Sequence, residues 1–257
     1  MIKKLFNPFE DSGSLKLLFA VQAVILFAIW CMHPAALLPT PLEILRAWDD
    51  LARNDGMLLE LWTSTKTIWT AITLSALIAF GIGYLSTADI FKPISYWLTA
   101  FRFLGFAGIT FLFTLMTSSG GELKIWLLTF GMTVFLLTNM LSTIAAVKQE
   151  EIDYGRTLRL SPWRITYEII VRGRLDEALD LVRQNAAIGW TMLSMVEGIV
   201  RSEGGIGALL LNQNKHLHLA AVFAIQLTIL VYGVAQDIAL RLIRNAICPY
   251  VKLSTVK

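Results

Sequence analysis

Three sets of residues in this sequence have types and spacings that could do chemistry. Glu197 lies within the apolar run 181–200, where a lone carboxylate invites a gating, substrate-contacting or proton-relaying role. Arg201 stands one helical turn further on and offers an ion-pair partner, which would make the acid structural. Gly204, Gly205 and Gly207 follow, either as a plain turn or as part of an outer gate. The second set is His216 and His218, two imidazoles that could join in holding a metal. No cysteine or carboxylate cluster accompanies them, so they read as interfacial histidines and no metal site is expected. The third set is the stretch 148–181, with six basic residues: Lys148, Arg156, Arg159, Arg164, Arg172 and Arg174. A charged surface of this size either sets membrane topology or meets a partner in water.

Other chemistry is missing. No G-x-x-x-x-G-K-[ST] phosphate loop is present, and neither H-E-x-x-H nor G-x-S-x-G occurs. No catalytic residue is expected, and any ATP hydrolysis would have to come from another chain.

The elements that position these residues are set by hydropathy. Of the 257 residues, 56% are hydrophobic, and the mean hydropathy of +0.62 excludes a soluble domain. The two cysteines, Cys31 and Cys248, cannot make a disulfide framework. The first apolar run lacks a small-x-small cleavage site and reads as a retained anchor. Six spans are predicted within one all-α membrane domain (1–257), at about 15–33, 65–86, 96–116, 123–147, 181–200 and 217–242. The external segment after the first span should carry a short amphipathic helix starting at Thr40-Pro41.

Ala71, Ser75, Ala79 and Gly83 recur every fourth residue in the second span, a small-residue stripe for close helix packing. Arg102 should snorkel, and Trp62, Trp97 and Trp126 read as interface anchors. Asn139 reads as interhelical glue. The stretch 148–180 cannot lie in hydrocarbon, so it is a loop between spans four and five. Helical spacings and the Ser161-Pro162 start signal predict two short helices meeting near Leu160-Ser161. Lysine and arginine counts place this loop and both termini in the cytoplasm.

The run Asp153-Tyr154-Gly155-Arg156-Thr157-Leu158-Arg159-Leu160-Ser161-Pro162-Trp163 resembles the cytoplasmic coupling loop of binding-protein-dependent ABC importer permeases. Asp153 stands where that family has Glu, and Arg159 where it has Gly. Leu38-Pro39-Thr40-Pro41-Leu42-Glu43-Ile44-Leu45 is similar to an entry segment of the taurine, sulfonate and nitrate branch. Gly120 to Ile125, Met195-Val196-Glu197 and the block from Gly204 to Leu210 resemble further family motifs.

This resemblance implies a permease subunit of the bacterial inner membrane, in contact with membrane lipids. It implies ATPase subunits that bind ATP and Mg, a second permease subunit (the same or different), and a periplasmic or extracellular solute-binding protein. No cofactor is implied in this chain, and no nucleic acid. The solute implied is a small anion such as a sulfonate, taurine, nitrate or a bicarbonate-like compound. Glu151, Asp153, Tyr154, Gly155, Arg156, Thr157, Leu158, Arg159, Leu160 and Ser161 would form the ATPase-coupling element. The alternative is a non-transporting scaffold or regulatory subunit of the same fold. Arginine tolerates a left-handed turn less well than glycine. Arg159 therefore predicts a turn remodelled toward a continuous or kinked helix, and a more electrostatic docking.

Overall fold

The computed structural model describes residues 13–32 and 38–249. The basic lead-in with Lys3 and Lys4, the segment 33–37 and the tail beyond Pro249 lie outside the described residues.

Eleven α-helices make up the described chain. They are α1 (Gly13–Met32), α2 (Pro41–Arg53), α3 (Met57–Leu85), α4 (Lys92–Thr99), α5 (Phe106–Met116) and α6 (Gly120–Ala145). Then come α7 (Gln149–Thr157), α8 (Pro162–Ile165), α9 (Leu175–Ile199), α10 (Ile206–Lys215) and α11 (Leu219–Ile247). A 3-10 turn (Ala100–Phe103) extends α4, and a π-helical segment (Thr166–Arg172) continues α8.

Three helices, α3, α6 and α11, are long and apolar enough to cross a membrane. Together they mark a multi-pass membrane protein. A fourth crossing arises if α4 with its 3-10 turn and α5 count as one span, although their axes differ by 113°. By length and composition the six predicted spans therefore reduce to three or four among the described residues. The third predicted span is broken at Leu104-Gly105 rather than straight. The fifth, 181–200, is not among the three or four: within that range α9 carries Arg183, Gln184, Asn185 and Glu197, which lower its hydropathy.

Local signals explain where helices start. At α2, Thr40 Oγ1 accepts the Glu43 amide at 3.3 Å, and the Glu43 carboxylate accepts the Thr40 amide at 2.8 Å. This reciprocal box, with Pro41 at the first position, satisfies donors a helix start otherwise leaves open.

The bundle is organised around α6, whose apolar stretch is 61% buried against 33% for α3 and 22% for α11. The predicted stripe is the reason α3 can lie along α6. Ala71, Ser75 and Ala79 are wholly inaccessible and Gly83 is buried. A Cβ at Gly83 would fall 2.6 Å from Met140 Sδ of α6. Ile68, Ile72, Leu128, Met132, Trp190 and Leu193 form the shared core of α3, α6 and α9.

Polar contacts inside this core differ from the predicted ones. Asn139 is half-buried, and its side chain makes no hydrogen bond among the described residues. Asn185 of α9 takes the role foreseen for it, donating to the Met132 carbonyl at 3.1 Å. The Trp190 indole donates to Gln236 of α11 at 2.8 Å. Arg102 is exposed and stacks over Phe103 at 4.9 Å, while Trp62, Trp97 and Trp126 are all substantially exposed.

Candidate functional site

The alternating helices gather their ends at two poles, and each holds one set of the chemistry-bearing residues. One pole joins the starts of α3 and α6 to the end of α9 and the start of α10. There Ser64 donates to the Glu197 carboxylate at 2.6 Å, and the second carboxylate oxygen accepts the Gly207 amide at 2.8 Å. The Ile206 amide donates to Ser64 Oγ at 2.8 Å, and the Gly205 amide donates to the Glu60 carboxylate. Lys124 of α6, 2% exposed, donates to the Gly204 carbonyl at 2.5 Å.

Glu197 is thus fully buried and serves as a side-chain cap supplied from another helix. Its carboxylate and the Ser64 hydroxyl take up amides at the start of α10, where a helix leaves donors unsatisfied and favours negative charge. Gly205 (φ 105°) must be glycine: its backbone lies in a region side chains avoid, and a Cβ would collide with the Glu197 carboxylate. The predicted Glu197–Arg201 pair does not form. Arg201 donates instead to the Gly198 carbonyl at 3.1 Å, because Glu197 points into the bundle and Arg201 lies beyond the helix end. Sequence reasoning missed Glu60, Ser64 and Lys124. Glu60 and Ser64 are four residues apart, hence on one helix face, which was a usable signal.

The histidines on this side do not converge on a site. His218 Nδ1 lies 2.8 Å from Gln213 Oε1, and both rings are exposed. Among the described residues, no group of three His, Cys, Asp or Glu could hold a metal. Cys248 is buried and free.

The opposite pole holds the charged loop. Helices α7 and α8 meet in an elbow at Leu158–Ser161, where the sequence predicts two short helices. Helix α7 starts with Glu150 and Glu151 and ends with Arg156, in accord with the helix dipole. Arg159 sits at φ 55°, contrary to the expected remodelling. Its amide bonds the Arg156 carbonyl at 2.9 Å, and the Leu160 amide bonds the Gly155 carbonyl at 3.2 Å. These two bonds make a Schellman termination, which normally takes glycine at the left-handed position. The pair of backbone bonds holds the turn even with an arginine there. Ser161 occupies the cap position and Pro162 the first helical one, yet the Ser161 hydroxyl makes no capping bond.

Gly155 is buried under α8: a Cβ there would lie 3.1 Å from Ile165 and 3.3 Å from Ile169. Its absence lets the two arms of the elbow touch. Asp153, Tyr154, Arg156, Thr157, Leu158, Arg159 and Ser161 are exposed, and Glu151 and Leu160 are half-buried. Tyr154, Leu158, Trp163 and Tyr167 are each more than half exposed, a concentration of apolar surface on a charged loop.

Among the ties between the elbow and the bundle is an arginine the prediction left out of the site. Arg174, just before α9, bonds Glu151 of α7 at 3.2 Å and Glu177 of α9 at 2.6 Å. Further along, Arg183 pairs with Asp180 at 2.9 Å and with Asp237 of α11 at 2.8 Å, and Arg244 of α11 pairs with Asp180 at 2.9 Å. On the Asp180 carboxyl, burial pushes the pKa up. Hydrogen bonds from Arg183 and Gln184 and the charges of Arg183 and Arg244 outweigh it and hold the carboxyl below its ordinary value.

No family model matches this chain, and no curated protein matches it either.

Proposed function

We propose that this protein is the permease subunit of an ABC importer, with the elbow of α7 and α8 as the element that docks a separate ATPase. The observation that carries this reading is the elbow itself. It is a corner between two apolar helices, with exposed aromatic, aliphatic and arginine side chains, and with Glu151 tied back to Arg174 at the start of α9.

Six crossings belong to this reading. Helix α1, the broken α4–α5 pair and α9 would join α3, α6 and α11. Helix α9 could cross despite its polar residues because Asn185 and Glu197 are buried against protein, not lipid. The elbow's pole would then face the cytoplasm and the Glu197 pole the outside.

Coupling follows from what is tied to what. Closure of an ATPase pair would draw two elbows together. Arg174 fastens the elbow to α9, so α9 moves with it. Helix α9 has 25 residues, about 37 Å of rise, and its far end carries Glu197. Glu197 holds the start of α10, so a tilt of α9 is felt at the outer pole. The transported solute would be a small anion delivered by an external binding protein.

The test is purification of the tagged full chain from its native membranes. An ATPase subunit should copurify, and its ATP hydrolysis should rise when a solute-loaded binding protein is added. Isolation of the intact chain with no ATPase bound, in membranes where the elbow is accessible, would overturn the proposal.

A further inference from the structure

The charges of the loop are not equally free. Asp153 is paired with Arg156 at 2.8 Å, Glu168 with Arg172 at 3.5 Å, and Glu151 with Arg174 at 3.2 Å. Between Thr157 and Tyr167 the only charged residues are Arg159 and Arg164. Both are exposed, and neither makes an ion pair or a side-chain hydrogen bond among the described residues. The corner of the elbow therefore presents two exposed guanidinium groups, without a partner among the described residues, beside the exposed Leu158.

Arg159 is costly where it stands. The left-handed position that closes α7 suits glycine or asparagine, and a long side chain there works against the local fold. Its guanidinium gains nothing within the chain to offset this. A planar, permanently charged donor kept in such a place fits bidentate capture of a carboxylate from outside.

We infer that the surface meeting this elbow is an acidic protein groove, with carboxylates for Arg159 and Arg164 and an apolar slot for Leu158. The inference rests on the reading of the elbow as an ATPase-docking element and names the chemistry of the groove. A lipid headgroup would satisfy the arginines too. The planar fork of Arg159 directly beside the exposed Leu158 fits a shaped protein groove, and contact with lipid alone is an outcome of the test.

The test uses full-chain variants in native membranes with the ATPase present. Arg159→Lys and Arg164→Lys each place a primary amine at the corner. A carbodiimide activates a carboxylate, and an amine within direct reach then displaces the urea, leaving an amide with no spacer between the two side chains. Leu158 is replaced, in a separate variant, by a photo-reactive residue that reports contact of any kind. The expected result is an amide from Lys at 159 or 164 to an Asp or Glu of the ATPase, a photo-adduct from 158 to the same subunit, and weakening of ATPase binding by about tenfold or more in Arg159→Glu. A photo-adduct without any amide, with Arg159→Glu binding normally, overturns the acidic groove while the docking reading stands. A photo-adduct to lipid alone, in vesicles of phosphatidylethanolamine and phosphatidylglycerol that also hold the ATPase, overturns both.

Discussion

Ser64 and Glu197, on α3 and α9, are joined by a buried hydrogen bond of 2.6 Å, and each also takes a backbone amide from the start of α10. Removing either leaves a buried donor or acceptor without a partner, which costs about 1–3 kcal/mol. Ser64→Ala and Glu197→Ala should each lower the thermal stability of the purified protein in detergent. Their effects should be less than additive, since both cut the same node. Glu197→Gln keeps an acceptor for the Gly207 amide and should be milder than Glu197→Ala. Fully additive losses in a double-mutant cycle would show that the two residues act separately.

The small-residue stripe makes a steric prediction. Ala79 is wholly inaccessible between α3 and α6, whereas Thr73 on the same helix is exposed. Ala79→Leu should destabilise by roughly 1–3 kcal/mol through overpacking, while Thr73→Leu should be near neutral. The measurement is the fraction of monodisperse protein surviving a heat challenge. Equal survival of the two variants would place the stripe outside the packed interface.

Asp180 predicts a pH dependence. Its folded-state pKa is depressed, so its contribution to stability is complete above the ordinary aspartate value of about 3.9 and is lost as pH falls through the folded value. The wild-type protein should lose stability below about pH 4, and Asp180→Asn should flatten that limb while lowering stability at neutral pH. Melting curves across pH 3 to 7 check this. An unchanged acid limb in Asp180→Asn would assign the loss to other carboxylates.

Topology can be read directly. Glu43, in the capping box of α2, should lie outside, and Arg156, at the end of α7, inside. With Cys31 and Cys248 replaced, a membrane-impermeant thiol reagent applied to intact cells should label Glu43→Cys and spare Arg156→Cys. Permeabilised cells should label both. Labelling of Arg156→Cys in intact cells would reverse the proposed orientation.

Features set by near neighbours in the chain were legible in the sequence. Thr40 and Pro41 foretold the start of α2 because a proline at the first helical position is a local signal, and the capping box with Glu43 closes within the same four residues. Ala71, Ser75, Ala79 and Gly83 foretold the buried face of α3 because a helix repeats its faces at nearly that spacing. The bend at Leu160-Ser161 was legible because Pro162 fixes the start of the next helix. Hydropathy fixed the class of the protein, since a chain this apolar cannot remain dispersed in water.

Only the tertiary structure decided which partner each polar group takes. Glu197 had Arg201 four residues away, yet it bonds Ser64, 133 residues earlier, because α9 turns that face toward α3. Lys124, whose charge alone predicts an exposed position, is buried with its amine on the Gly204 carbonyl, because the start of α6 packs against the turn before α10. Asn139 and Asn185 look alike in a polar census, but packing brings only Asn185 to a backbone carbonyl of a neighbouring helix. The left-handed turn at Arg159 runs against its own local preference. Gly155, packed under Ile165 and Ile169, keeps α8 against α7, and two backbone bonds close the corner. Local propensities amount to a few tenths to a few kcal/mol, and a contact made across the bundle can override any one of them.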